Sequence, residues 1–302
     1  MMVIGKTGVR DMHSSNKTLH KVYAHYAHLN LEETILDALA ADGKNPDSLE
    51  IEDLAPIDQF HLRGRKATHD LARDLGLDRN MQVLDLGCGL GGASRHLAKE
   101  FGCRVTGLDL SEDYCQVATT LTQRLGLASR VSFMQGNALE LPFADGSFDL
   151  VWTQHMTMNI ADKPGFYQEV WRVLKPGGRL AMYDILAGPG GEVLFPVPWA
   201  RDPATSFLVA PQLLLDLLAE TGFDIQIWRD VTESARLWTR ATQERLYLDP
   251  PRTLGLQLLL GRDFRKMAHN QFLNLQQERI TLIEAVVRRP LVAKPGTHAM
   301  MS

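Results

Sequence analysis

The spacing of hydrophobic and polar positions changes period several times along the chain. From Lys21 to Ala41 the apolar residues Tyr23, Tyr26, Leu31, Ile35, Leu36 and Leu39 recur at helical spacing, and Asp42-Gly43-Lys44-Asn45-Pro46 stops the pattern. After the irregular segment Ala55-Pro56-Ile57-Asp58-Gln59-Phe60-His61, a second helical stretch spans Arg65 to Leu75. The period then shortens to apolar runs bounded by turn residues, the pattern of strands buried on both faces. These runs are Gln82–Leu86, Arg104–Asp109, Val131–Met134, Phe148–Trp152 and Arg179–Ile185, with helices predicted over 93–101, 112–125 and 164–174. Such alternation predicts an α/β fold, a Rossmann-like, mostly parallel sheet with helices on both faces. Residues 186–210 break the rhythm with glycines, prolines and aromatics, and so long a connection predicts a functional loop or lid. A helix from Pro211 to Thr221, a sixth strand from Phe223 to Trp228, more helix and a closing strand from Arg279 to Val287 bring the expected sheet to seven strands. The expected organisation is a helical cap over 1–64, a Rossmann-like core over 65–186, a lid insert with a helix and the sixth strand over 187–245, and a C-terminal helix and closing strand over 246–302.

Composition narrows the function classes. The chain has 302 residues, 45% hydrophobic and 23% charged, which is far from the polar, highly charged range of disordered proteins. Thirty-two basic against thirty-six acidic residues give a net charge of −4, so no bulk positive field argues for nucleic acid or an anionic membrane surface. No apolar run approaches the ~18–20 residues of a membrane span, and the start of the chain lacks the apolar core of a secretory signal. Three cysteines, Cys88, Cys103 and Cys115, form no CxxC pair, which predicts a reducing, cytoplasmic setting without a disulfide framework. The ten histidines fall into no HExxH or HxH pattern, so no metal site is expected.

The chemistry concentrates in residues 83–109. Gly87, Gly89, Gly91 and Gly92 follow the first strand and open the next helix, an arrangement that lets backbone approach a ligand at a helix N-terminus. Asp109 ends the second strand eighteen residues after Gly91, close to the ~20 expected of an acid that accepts ribose hydroxyls. The glycines alone also satisfy a dinucleotide fingerprint, so an NAD-linked oxidoreductase competes. Asp85, two residues before the first glycine, argues against it: a carboxylate there repels pyrophosphate and suits an ammonium. Gly136-Asn137-Ala138 after the third strand can meet an adenine edge, and Lys175-Pro176-Gly177-Gly178 forms a turn directly before the fifth strand. A cationic nucleoside without phosphate, S-adenosylmethionine, fits these features better.

Val83-Leu84-Asp85-Leu86-Gly87-Cys88-Gly89-Leu90-Gly91-Gly92 resembles the first motif of class I SAM-dependent methyltransferases (methyltransferase type 11). Thr106-Gly107-Leu108-Asp109-Leu110-Ser111, Gly136 to Phe143 and Val173 to Leu180 resemble the later motifs, in the same order and spacing. Ala55 to His61, Trp152 to Ile160 and Phe195 to Ala200 are similar to the bacterial sarcosine/dimethylglycine N-methyltransferase-like group. The resemblance implies S-adenosylmethionine contacts from Asp85, Gly87, Cys88, Gly89, Gly91, Asp109, Leu110, Asn137, Ala138 and Gln154. That family commonly carries Asp where this chain has Asn137, which keeps a hydrogen-bonding edge and loses a charge. The implied partner is a small-molecule methyl acceptor, with an amine nitrogen of the sarcosine or dimethylglycine kind foremost and O- or C-methylation of a secondary metabolite as the alternative. A SAM-binding protein without turnover is a further alternative, and a homodimer is an allowed assembly.

The acceptor should meet the carboxyl ends of the strands. His155 is the candidate base or orienter, with an ordinary pKa near ~6.5. Tyr23, Tyr26, Phe60, His61, Met156, Asn159 and Trp199 are the candidate acceptor contacts, the aromatics because they attract a methylated ammonium as well as pack a core. Arg63 and Arg65 could hold an acceptor carboxylate, and His25 and His28 stand at i, i+3 on a helix face more often simply solvated. Cys88 reads as a small residue beside the cofactor, not a nucleophile.

Overall fold

The computed structural model describes residues 18–26, 30–248 and 253–291. Seven strands form one sheet: β1 (Gln82–Leu86), β2 (Arg104–Asp109), β3 (Val131–Gln135), β4 (Phe148–Gln154), β5 (Leu174–Ala187), β6 (Asp224–Asp230) and β7 (Ile280–Arg288). Their order is β3-β2-β1-β4-β5-β7-β6. The first five run parallel, and β7 lies antiparallel between β5 and β6. The sheet reverses its direction of growth between β1 and β4. At such a switch point the connecting helices diverge to opposite faces, leaving a crevice beyond the carboxyl ends of the strands.

The helices are α1 (18–26), α2 (Leu31–Ala41), α3 (Arg65–Arg73), α4 (Gly92–Phe101), α5 (Glu112–Arg124), α6 (Lys163–Val173), α7 (Pro211–Thr221), α8 (Thr232–Leu248), α9 (Gln257–Leu260) and α10 (Phe264–Gln276). Strand alternation sorts the core into two layers. Val83, Val105, Trp152, Ala181 and Tyr183 face one side with Leu97 of α4, whereas Leu84, Leu86, Val151, Leu180 and Met182 face the other with Phe166 and Val170 of α6. A third cluster fastens the cap to the core: Leu31, Ile35 and Leu39 of α2 pack with Leu54, Ile57, Leu90, Val117, Leu121 and Leu259. Among the described residues no helix is long and apolar enough to cross a membrane.

Three local outcomes depart from the sequence pattern. The helical period over 21–41 is interrupted at Asn30, which takes a left-handed conformation (φ 57°) before α2. The segment Lys175-Pro176-Gly177-Gly178 belongs to β5 instead of preceding it. Gly177 N–H donates to Arg289 O and Arg289 N–H donates to Gly178 O, each at 2.8 Å, so the neighbouring chain draws the glycines into the sheet. The loop over 188–210 is fastened rather than loose. Asn274 of α10 accepts from Leu194 N–H (2.8 Å) and donates to Leu194 O (3.0 Å), while Asn270 donates to Pro196 O (2.9 Å).

Candidate active site

The crevice holds a cavity of about 520 Å³ bordered by the glycine loop, the ends of β1, β2 and β4, the segment 57–61 and α1. Asp85 and Asp109 both face it. The Asp85 carboxylate is buried and accepts from Ser94 Oγ at 2.6 Å. Burial pushes its pKa up to about 7, opposed by the Ser94 hydrogen bond and reinforced by nearby Asp109. Asp109 accepts from Gly89 N–H and Ser111 N–H, both at 2.9 Å. Its pKa is nonetheless raised, because burial outweighs those donors.

The glycines have concrete reasons. Gly87 has φ 70°, and a side chain there would run into Met156. Gly92 lies against the backbone of Asp58, so the cap touches the start of α4 directly. Asp58 and Arg95 seal this contact as a buried ion pair, with Arg95 Nη2 also donating to Leu90 O at 2.6 Å and Nη1 to Thr122 Oγ1 at 3.0 Å. In the sequence the pair shows only as an arginine in the first turns of α4, where an exposed residue would be ordinary.

Gln154 ends β4 with its side chain aimed by Trp152, whose Nε1–H donates to Gln154 Oε1 at 3.0 Å. The Thr68 hydroxyl stands 3.0 Å from the same oxygen and 2.5 Å from Gln59 Oε1, and its single hydrogen serves one of them at a time. The indole nitrogen can only donate, so the atom facing it is the oxygen. Gln154 Nε2 is therefore buried without a partner, in a residue that borders the cavity. Neither Thr68 nor Trp152 stood out in the sequence, since each matches an ordinary core position.

His155 follows in a strained left-handed conformation, φ 49°. Non-glycine residues in this region concentrate at functional sites. Its N–H donates to Tyr183 O (2.8 Å) and its ring stacks on Tyr183, centroids 5.0 Å apart at 20°. His61 sits edge-on to both rings, 5.8 Å from His155 and 5.9 Å from Tyr183. Burial drives the His155 pKa well below its ordinary value, with His61 adding to the effect, and lowers His61 to about 4. Both rings are thus neutral at pH 7. His155 Nε2 is buried and unpartnered.

The other candidates separate by position. Gly87, Cys88, Gly89, Leu110, Asn137, Ala138, Met156, Phe60 and His61 border the main cavity, whereas Gly91 shapes the loop (φ 83°) without bordering it. Asn137 Oδ1 accepts from Leu139 N–H at 3.0 Å. Cys88 is a buried thiol whose pKa burial pushes well up, consistent with an inert filler. Tyr26 borders the cavity but Tyr23 does not; Val22 takes the place beside it. Asn159 borders the cavity yet spends its polar atoms elsewhere: it accepts from Tyr26 O–H (3.1 Å) and donates to Trp199 O (2.9 Å) and Thr205 O (2.7 Å). It joins α1, the lid and the β4 loop. His25 Nε2 adds a bond to Pro198 O at 2.9 Å, and His28 lies outside the described residues. Arg63 pairs with Asp70, and Arg65 with Glu52 at 2.8 Å, so neither arginine points into the cavity. Trp199 is buried, donates to Ser206 Oγ at 3.0 Å and borders a second, smaller cavity.

Residues 84–182, the stretch from β1 to β5 that builds the cradle, match the family described as a methyltransferase domain. Sterol 24-C-methyltransferase ERG6B of Gibberella zeae is 40% identical over 118 residues, 39% of this chain and 31% of that protein. The glycine/sarcosine/dimethylglycine N-methyltransferase of Actinopolyspora halophila is 33% identical over 171 residues, 56% of this chain and 28% of that protein. Each match thus spans under half of the relative. Among solved structures, geranyl diphosphate C-methyltransferase from Streptomyces coelicolor A3(2), bound to Mg2+, geranyl diphosphate and S-adenosyl-L-homocysteine, aligns with a TM-score of 0.66 at 18% identity over 90% of this chain and 97% of that one. That likeness establishes the fold.

Proposed function

We propose that the chain is an S-adenosylmethionine-dependent methyltransferase acting on a small-molecule acceptor. The observation that carries this reading is the pair of buried carboxylates, Asp85 and Asp109, on one glycine-lined cavity inside a methyltransferase domain. Two acids in a desolvated cradle disfavour a pyrophosphate and favour a cationic nucleoside. Asp109 is already oriented by two backbone N–H groups and retains lone pairs for ribose hydroxyls. Asp85 suits an ammonium, and Asn137 with Ala138 supplies an adenine edge. When bound, S-adenosylmethionine supplies a methyl group on a sulfonium sulfur. The protein's part is to bind, align and exclude water, and alignment alone can contribute ~7–11 kcal/mol to such a transfer.

Two acceptor readings follow. Likeness to the Actinopolyspora enzyme favours an amine nitrogen. Likeness to the sterol 24-C-methyltransferases, together with the apolar walls described below, favours O- or C-methylation.

Calorimetry with S-adenosylmethionine, S-adenosylhomocysteine and NADH tests the cofactor. The adenosyl ligands should bind and NADH should be silent; tight NADH binding overturns the reading. Asp109→Ala should weaken S-adenosylhomocysteine by more than about 100-fold, since two hydrogen bonds to a charged group are each worth ~1.5–3 kcal/mol. Wild-type affinity in that variant removes Asp109 from the site.

A further inference from the structure

Beside the main cavity, and sharing Tyr26, Phe60, His61 and His155 with it, lies a second cavity of about 90 Å³. Its remaining walls include Met158, Trp199, Trp238, Leu256, Leu260 and Phe264, drawn from the β4 loop, the lid, α8 and the α9–α10 region. Only neutral hydrogen-bonding groups accompany them, such as Thr239, Thr242 and Gln271. Among the described residues bordering either cavity there is no lysine or arginine, and the acids all border the main one.

We infer that the methyl acceptor is an uncharged, largely apolar molecule that presents a phenolic or enolic hydroxyl to His155, its apolar part seated in the second cavity. The inference rests on the methyltransferase reading above. His155 borders both cavities and its Nε2 is buried without a partner, and Nε2 of Gln154, a residue of the main cavity, is likewise unpartnered. A hydroxyl suits such groups, because its oxygen accepts from an amide while its hydrogen goes to an imidazole nitrogen. The nitrogen of dimethylglycine, in the neutral form that can attack, has no hydrogen to give and needs its one lone pair for the attack. An amino-acid acceptor would also bring a carboxylate into walls that offer it no described cation, at a large desolvation cost. The aromatic walls would attract a methylammonium, but that attraction is modest beside an unpaired buried carboxylate.

The acidity of the hydroxyl matters too. Burial makes His155 a weak base, suited to a phenol-like proton (ordinary pKa ~10) and not to an aliphatic alcohol. In the step, the oxygen lone pair forms the new O–CH3 bond as the sulfonium C–S bond breaks. That bond's electron pair stays on sulfur, and the hydroxyl proton passes to His155 Nε2.

The test uses the full chain saturated with S-adenosylhomocysteine, titrated by calorimetry with 4-butylphenol, sarcosine and dimethylglycine. A parallel assay with labelled S-adenosylmethionine identifies any product by mass. The phenol should bind and yield its methyl ether, with both amines silent. Phe264→Ala should weaken the phenol by about 10-fold and leave S-adenosylhomocysteine affinity unchanged. His155→Gln should keep phenol binding, lower turnover by about 100-fold, and leave a rate that climbs with pH toward ionisation of the phenol itself. Methylation of either amine, or failure of the phenol to bind the loaded protein, overturns the acceptor class while the cofactor reading stands. Failure of S-adenosylhomocysteine to bind the wild type overturns both.

Discussion

The glycine-loop cradle of the main cavity and the smaller apolar chamber beside it share a wall and are built in opposite ways. The cradle comes chiefly from β1, β2, their connecting loops and the Gly136–Leu139 turn, and its polar groups are carboxylates held by backbone N–H and one serine. The chamber is assembled from the cap, the β4 loop, the lid, α8 and α10, and its walls are aromatic and aliphatic. Charge in the first fits a ligand that carries charge of its own. Neutrality in the second, down to histidines held unprotonated by burial, fits a nucleophile that must be stripped of water. One fold thus keeps two dielectric regimes a few side chains apart.

The Asp58–Arg95 pair is the seam between the cap and the cradle's glycine loop, and breaking it should give the largest effect. Arg95→Met leaves Asp58 buried without its cation, against the Asp58–Gly92 contact that joins cap to loop. Removing one partner of a buried pair costs ~3–5 kcal/mol. Chemical denaturation should show that loss, and both S-adenosylhomocysteine and acceptor binding should weaken together. If cofactor affinity survives intact, the cap and the cradle are independent units.

This seam also marks where the sequence stops being readable. Asp85, Gly87, Gly89 and Asp109 lie within one strand–loop–helix–strand unit, so chain order alone brings them together. The number of strands follows from the same local periodicities, whereas their order in the sheet is set by tertiary packing. Arg95, Thr68, Trp152 and Tyr183 do not announce themselves, because a helix arginine, a helix threonine and two strand aromatics each have a commonplace alternative. Trp238 and Phe264 border the same small cavity as Phe60, a shared position that only the return of α8 and α10 to the cap side creates. Asn159 reads as an acceptor contact in sequence, and the fold adds a second role that only its three partners reveal: it borders the cavity and also ties α1, the lid and the β4 loop together.

A pH titration separates the two regimes more finely. The Asp85 carboxyl titrates at about 7 in the fold and near ~3.9 in an unfolded chain. Between those values the folded state binds the extra proton, so stability should fall as pH rises from about 4 to about 7 and level off above. Asp184, raised to about 6 by burial, contributes with the same sign over a narrower window. Asp85→Asn should flatten this slope and raise the unfolding temperature of the ligand-free protein at pH 8, by roughly 2–4 °C for each kcal/mol recovered. Wild-type affinity for S-adenosylhomocysteine should increase as pH passes through about 7, when the carboxylate that pairs with its ammonium forms, and the variant should lose that dependence. An unchanged pH profile in Asp85→Asn detaches Asp85 from the ligand.

The smallest expected effect tests the cradle's far edge. Asn137 occupies the position where the family it resembles commonly has Asp. Its Oδ1 already accepts from Leu139 N–H, which holds the turn, and Asp could accept that same bond. An adenine amino group only donates, so either residue can receive it through an oxygen lone pair. Asn137→Asp should therefore change S-adenosylhomocysteine affinity by less than about 10-fold in calorimetry, within the ~1.4 kcal/mol that a modest hydrogen-bond change spans. A loss beyond about 100-fold would instead mean that the Asn137 amide donates to a ring nitrogen. The carbonyl would then serve only the turn, and the departure from the family's acid would be a change of hydrogen-bond direction rather than a loss of charge.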